Sequence, residues 1–153
     1  MDYRKEYEKW LASPALSEDE RAELKALEGN GKEIKARFYG PLEFGTAGLR
    51  GTMYTGLHNM NRHVIRWATQ GFANVIRAEG TEAMQKGVAV CMDCRNHSAE
   101  FARETACVMA ANGIHVRLFE SLRPTPELSF AVREYGCQAG VNVTASHNPK
   151  EYN

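Results

Sequence analysis

The chain lacks a long apolar run, an excess of either charge, and more than a handful of cysteines. No stretch approaches the roughly 20 apolar residues of a membrane span. The opening Met1-Asp2-Tyr3-Arg4-Lys5 is polar and lacks the apolar stretch of a signal peptide, so a cytoplasmic location is expected. Lys plus Arg and Asp plus Glu number 19 each. That balance gives no general electrostatic reason to bind nucleic acid or an acidic membrane. The four cysteines fit the same expectation. Cys91, Cys107 and Cys137 stand in apolar surroundings and read as small core residues. Cys91 and Cys94 form a lone C-x-x-C with no second pair or suitably spaced histidine, a weak case for zinc or a redox pair. Asn96-His97-Ser98 and Asn142-Val143-Thr144 match the glycosylation pattern, which carries no meaning without secretion. Repeats and low-complexity segments are absent from the sequence.

What is present suits a globular domain. The 153 residues are 43% hydrophobic and 25% charged, enough for a real core. The first forty residues are charge-rich and helical in pattern. A helix is expected around Tyr3 to Leu11, and a second from the capping box Ser17-Glu18-Asp19-Glu20 to about Glu28. Asn61 can cap a helix with Val64, Ala68, Gly71, Phe72, Val75 and Ile76 on one face, ending at Gly80. Residues 87–92 read as a buried strand. A helix from about Ser98 to Gly113 has Phe101, Ala102, Thr105 and Val108 on one side. Residues 114–119 alternate as a strand does. Thr125-Pro126 opens a helix with Leu128, Ala131, Val132 and Tyr135 inward, stopped by Gly136. Residues 140–143 form a third strand. This order describes a layered α/β domain with crossover connections. His63 on a helix and His115 on a strand are expected to be packed or surface residues.

In open α/β sheets, ligands sit beyond the carboxyl ends of the strands. The three strands end in Asp93-Cys94-Arg95, in Ser121-Leu122-Arg123-Pro124-Thr125 and in Thr144-Ala145-Ser146-His147-Asn148-Pro149. If the strands are parallel, these loops share one edge, and their arginines and hydroxyls point to an anionic ligand such as phosphate. Pro149 keeps Asn148 out of the helical region. Ser146 beside His147 suggests a nucleophile and base, although neighbours on an extended strand face opposite ways. The G-x-S-x-G elbow of many serine hydrolases is absent. Spacing alone leaves open a reactive loop or a polar loop that merely closes a strand. Phe44-Gly45-Thr46-Ala47-Gly48-Leu49-Arg50-Gly51 has glycines at i, i+3 and i+6, which permit close backbone approach to a ligand. It is neither G-x-G-x-x-G nor a Walker loop, and a plain flexible turn remains an alternative.

Together, Phe44–Gly51 and Thr144–Pro149 resemble the α-D-phosphohexomutase family, closest to phosphoglucomutase and phosphopentomutase types. Asn61–Gly71, Asp93-Cys-Arg-Asn-His-Ser98 and Arg123-Pro-Thr-Pro126 resemble further family segments in the same order. The resemblance implies a three-layer α/β/α domain with a central, mostly parallel (mixed) sheet over residues 41–153, preceded by an N-terminal helical flank over residues 1–40. It implies the first of four domains. The metal, sugar-reading and distal phosphate loops would lie in later ones, and the fragment alone would be inactive. Ser146 would carry a phosphoryl group that relocates phosphate between hexose 1- and 6-positions through a bisphosphate. Arg50 and His147 would join it as catalytic residues. Thr46, Arg50, Arg95 and Asn148 would bind phosphate. Ser146 would touch Mg²⁺ through its phosphate, and glucose 1,6-bisphosphate would serve as activator. Expected partners are a phosphosugar and the missing domains, with self-association through exposed domain faces. The run Gly56-Leu57-His58-Asn59-Met60-Asn61 departs from the family pattern, which leaves the substrate open. The alternative is a non-catalytic α/β module that binds a phosphorylated ligand or a protein.

Overall fold

The computed structural model describes residues 1–46 and 48–153; Ala47 of the glycine-rich segment lies outside them. The chain divides into two compact units, one of residues 1–61 with Tyr152 and one of residues 62–151 with Asn153.

The first unit begins with three helices, α1 (Tyr3–Leu11), α2 (Glu18–Lys25) and α3 (Gly31–Phe38). Asp2 caps α1 through its side chain. Ser17 and Glu20 close the expected capping box of α2. The helix of α2 ends at Lys25, short of Glu28, and α3 is a separate element that the charge-rich pattern did not resolve. Tyr7, Leu16, Leu24, Leu27, Ile34, Phe38 and Leu57 form one apolar cluster. The rings of Tyr7 and Trp10 meet Phe38 edge-on at 5.6 and 5.7 Å between centroids. Arg37 is buried, and it bonds Glu23, Glu33 and the Thr55 carbonyl. Glu23 in turn accepts from the Thr55 amide and hydroxyl. This network pins the 52–61 loop to the helices. A short antiparallel hairpin pairs β1 (Phe44–Gly45) with β2 (Gly48–Leu49).

The second unit is an α/β domain. In order it holds α4 (Arg62–Ala78), α5 (Thr81–Lys86), β3 (Val88–Met92), α6 (Ser98–Ala111), β4 (Val116–Leu118), α7 (Thr125–Glu134) and β5 (Ala139–Val143). The sheet order is β4-β3-β5, and both pairings are parallel. Every residue of β3 is buried, as a central parallel strand requires. The chain steps from β3 to β4 on one side, then back past β3 to β5 on the other. Right-handed crossovers then put α6 and α7 on opposite faces. Burial agrees, since Ala89 and Cys91 pack with Leu128 of α7, backed by Val132 and Cys137. Both α6 and α7 end with the same cap. Ile114 N–H bonds the Met109 carbonyl, and Cys137 N–H bonds the Val132 carbonyl, each closing six residues over a positive-φ glycine, Gly113 or Gly136.

Several sequence expectations are corrected. The strand expected over 114–119 contracts to Val116–Leu118, because Ile114 completes the helix cap. In α4 Val64 and Ile76 are buried as expected, but Thr69 and Ala73 complete that face, while Gly71 and Val75 are exposed. The reason is α6, which meets that face through Thr69–Thr105, Gln70–Asn112 and a two-pronged Arg66–Glu104 pair. In α6 Met109 is buried and Val108 only partly so. Tyr135 is exposed; its ring receives the Arg117 guanidinium at 5.4 Å to the centroid. Cys107 lies on the outer side of α6 and is exposed, so it is not a core residue. His115 is a surface residue beside Arg117. No helix among the described residues is long and apolar enough to cross a membrane.

Gly87 links α5 to β3 with φ +71°, and a Cβ there would stand 2.1 Å from the His115 carbonyl oxygen. Gly87→Ala is expected to lower stability by about 2–4 kcal/mol, the sum of positive-φ strain and overpacking. Gly71→Ala, at an open helical position with nothing within 4 Å, is expected to raise it by about 0.5–1 kcal/mol. Denaturant midpoints of the two variants check both signs.

Candidate functional site

Parallel pairing sets the strand ends level, so the loops after β3, β4 and β5 gather on one edge. The ladder continues past the strands: the Asp93 amide donates to the Val143 carbonyl at 3.1 Å, and the Arg123 amide to the Met92 carbonyl at 3.2 Å. In the order β4-β3-β5, connections diverge between β3 and β5. This is the topological switch point, where open α/β sheets form their crevice. The loop after β3 and the loop after β5 meet there.

Asp93 is the hub. Its Oδ1 accepts from the Arg95 amide at 2.9 Å and from Ser98 Oγ at 2.8 Å. Its Oδ2 accepts from Thr144 Oγ1 at 2.5 Å. Partial burial works against the charge of Asp93. The hydrogen bonds from Thr144, the Arg95 amide and Ser98, together with the Arg95 guanidinium, outweigh it and hold the carboxyl below its usual range. Ser98, fully buried at the start of α6, accepts in turn from Asn153 Nδ2 at 2.8 Å. Asn153, also buried, donates to the Asn96 carbonyl as well.

From this hub the β5 loop is built outward. Ala145 is fully buried and anchors it. The Asn148 amide closes a turn on the Ala145 carbonyl at 2.9 Å. Ser146 and His147 occupy the turn's middle and are exposed. Ser146 has φ +51°, outside the strand region. The expectation that Ser146 and His147 face apart as strand neighbours is therefore corrected, since β5 ends at Val143 and the turn brings Ser146 Oγ to 3.2 Å from His147 Nδ1. The Ser146 amide donates to Thr144 Oγ1 at 3.0 Å. Arg95 reaches over the turn, with Nη2 at 2.7 Å from the Ser146 carbonyl and Nη1 at 3.1 Å from the Pro149 carbonyl.

The second unit thus brings Ser146, His147, Asn148 and Arg95 together. Arg50 and Thr46 are carried by the first unit, Thr46 in the turn of the β1–β2 hairpin and Arg50 directly after β2, both exposed. Arg123 lies beside the end of β3 and pairs with Glu127 at 2.9 Å. Cys91 of the C-x-x-C is a buried donor to Asn142 Oδ1 at 3.0 Å, and burial pushes its thiol up. That environment favours a neutral, inert thiol. Among the described residues, no group of three or more His, Cys, Asp or Glu side chains could hold a metal ion. Sequence reading passed over Thr144 and Asn153. Thr144 stood in the loop as the first polar residue after a strand, which is a usable signal; nothing in the pattern around Asn153 announces its role.

Comparison with known proteins adds the family. A family model described as phosphoglucomutase/phosphomannomutase, alpha/beta/alpha domain I, matches residues 41–153. The chain is 40% identical over 132 residues to a phosphopentomutase of Homo sapiens, covering 82% of this chain and 22% of that protein. It is 36% identical over 151 residues to a phosphopentomutase of Mus musculus, covering 95% and 24%. It is 41% identical over 122 residues to a phosphoglucomutase of Staphylococcus saprophyticus, covering 80% and 22%. The chain spans less than a quarter of the length of these curated relatives. No solved structure gives a significant match.

The folded pKa of Asp93 lies below its unfolded value, so its contribution to stability is present above the usual carboxylate pKa and is lost as pH falls through the folded one. Asp93→Asn is expected to cost about 1–3 kcal/mol near neutral pH, since three hydrogen bonds to a charged acceptor are weakened. The difference from the parent chain should shrink on acidification. Unfolding curves of both proteins between neutral and acidic pH test this; a gap that widens in acid contradicts it.

Proposed function

The chain belongs to the phosphoglucomutase/phosphomannomutase family through its α/β/α domain I, and from that premise we propose that Ser146 carries a phosphoryl group between two positions of a phosphosugar. One observation carries the reading: Ser146 is an exposed hydroxyl on a turn at the switch point whose amide and carbonyl are bonded by half-buried Thr144 and Arg95. A phosphorylated serine there brings about −1.5 to −2 charge, which calls for cationic and hydrogen-bond-donating groups around it.

The transfer takes two steps. Phosphoserine 146 gives its phosphoryl group to a free sugar hydroxyl. The P–Oγ bond breaks as the P–O bond to sugar forms, and the hydroxyl proton ends on Oγ. The resulting hexose 1,6-bisphosphate then returns its other phosphoryl group to Oγ. That P–O bond to sugar breaks, and the Ser146 proton ends on the sugar oxygen. His147 Nδ1, at 3.2 Å from Oγ, is placed to pass that proton in both directions. Positioning and charge stabilisation supply most of the acceleration in such transfers. Thr46, Arg50 and Asn148 are assigned to phosphate binding. Arg95 was expected there too, and two backbone carbonyls accept one donor from each of its terminal nitrogens.

Hexose 1- and 6-phosphates are the proposed substrates, with glucose 1,6-bisphosphate as activator; pentose phosphates are the neighbouring class, because relatives of both names align. Mg²⁺ would neutralise the transferring phosphate when bound. The described residues offer it no carboxylate cluster, and Ser146 would contribute only phosphoryl oxygens. The remaining ligands, the sugar-reading loop and the distal phosphate loop are assigned to other parts of a longer cytoplasmic protein. Exposed Trp67, Val75 and Phe130 give apolar surface for such neighbours or for self-association.

Incubation with glucose 1,6-bisphosphate is expected to add one phosphoryl mass at Ser146, and Ser146→Ala to abolish it. His147→Gln is expected to slow labelling by about 10²-fold. Multiple-turnover isomerisation by this chain alone should be negligible, checked by a coupled assay for glucose 6-phosphate. Binding of the bisphosphate without any label at Ser146 would favour the non-catalytic module.

A further inference from the structure

Ser146 sits in a left-handed conformation, φ +51°, which is unfavourable for a non-glycine residue and persists only when its surroundings over-determine it. Here they do. The amide N–H of Ser146 is taken by Thr144 Oγ1 and its carbonyl by Arg95 Nη2. Both backbone polar groups of the residue are therefore occupied, and the hydroxyl is left facing outward beside His147.

The orientation of each partner is forced in turn. An ionised carboxylate only accepts, so the Thr144 hydroxyl must donate to Asp93 and present its lone pairs to the Ser146 amide. Asp93 is itself fixed by the Arg95 amide and by Ser98 Oγ, and Ser98 is backed by buried Asn153. On the other side, the planar fork of Arg95 spans the turn from the Ser146 carbonyl to the Pro149 carbonyl. Two acceptors in fixed relation suit a guanidinium and not an ammonium.

We propose that Asp93, acting through Thr144, and Arg95 are positioning residues that hold Ser146 in its strained, outward-facing turn, with Arg95 gripping the protein backbone and not the substrate phosphate. This inference rests on the carrier reading of Ser146. It makes the two residues determinants of the transfer step and not of phosphosugar affinity.

Three variants and two readouts test it on the chain. Arg95→Lys keeps the charge and removes the fork. Thr144→Val removes the hydroxyl at nearly constant shape, and Thr144→Ser restores it. Hydrogen exchange of the Ser146 amide reports the turn independently of chemistry. Initial phosphoryl labelling from glucose 1,6-bisphosphate, measured against donor concentration, separates the saturated rate from the half-saturating concentration.

In Thr144→Val the Ser146 amide should exchange at least about tenfold faster, the net loss of one hydrogen bond. In Arg95→Lys and Thr144→Val the saturated labelling rate should fall about 10- to 100-fold, with half-saturation unchanged within about twofold. Thr144→Ser should recover both readouts. A raised half-saturation at an unchanged saturated rate in Arg95→Lys would make Arg95 a phosphate ligand and overturn the proposal. Equal labelling by the parent chain and Thr144→Val would overturn the positioning role while leaving the carrier reading intact. A protected Ser146 amide with no labelling of the parent chain would instead defeat the carrier reading, and the proposal with it. Should Arg95→Lys fail to fold, the Thr144 pair decides alone.

Discussion

The carboxylate of Asp93 stands where the sheet's own hydrogen-bond ladder runs out, and it takes over from the backbone as the organiser of the loops beyond the strands. Its amide is the last rung of the β3–β5 pairing. Its side chain then binds the start of α6 through Ser98, the adjoining loop through the Arg95 amide, and the β5 loop through Thr144. A group that only accepts can hold three donors in a fixed arrangement without ambiguity about which proton points where. The reach of a parallel sheet is thereby extended by one residue into a loop that would otherwise be free to move.

That arrangement explains how an exposed serine can be held rigidly. Surface loops usually lack the apolar contacts that fix a conformation. Here the burial is displaced to other residues. Ala145, Ser98 and Asn153 are buried; Ala145 adjoins Ser146, Ser98 bonds Asp93, and Asn153 bonds Ser98. The positive φ at Ser146 is accompanied by polar bonds on both its backbone groups, which restrain the main chain and leave the hydroxyl exposed.

The two units differ in how they are stabilised. The helical unit relies on an aromatic and aliphatic cluster around Phe38 and on Arg37, whose buried charge is met by Glu23 and Glu33. Such a pair is costly to break, because removing either partner strands a buried charge. The α/β unit relies on a fully buried central strand between two helices. Arg50 belongs to the first unit and Ser146 to the second.

Much of this was written in local pattern. The capping box at Ser17 and Glu20, the buried run 88–92, the helix opened by Thr125-Pro126 and the serine loop itself were legible because each depends on neighbours a few residues apart. The face of α4 was not, because periodicity offers two possible stripes and only the position of α6 selects the one with Thr69 and Ala73. Cys107 and Tyr135 failed for the same reason, since apolar character says a residue can be buried, not that a partner is there. The Ser146–His147 contact could not be read either, because it depends on a turn that departs from strand geometry. The sequence alone determined the family, the alternation of strand and helix from residue 87 to 143, and the loop that bears the serine. Only the tertiary structure decided that Asp93, Thr144, Ser98, Arg95 and Asn153 converge on that loop, because residues some fifty positions apart meet through parallel strand pairing, and no local spacing encodes it.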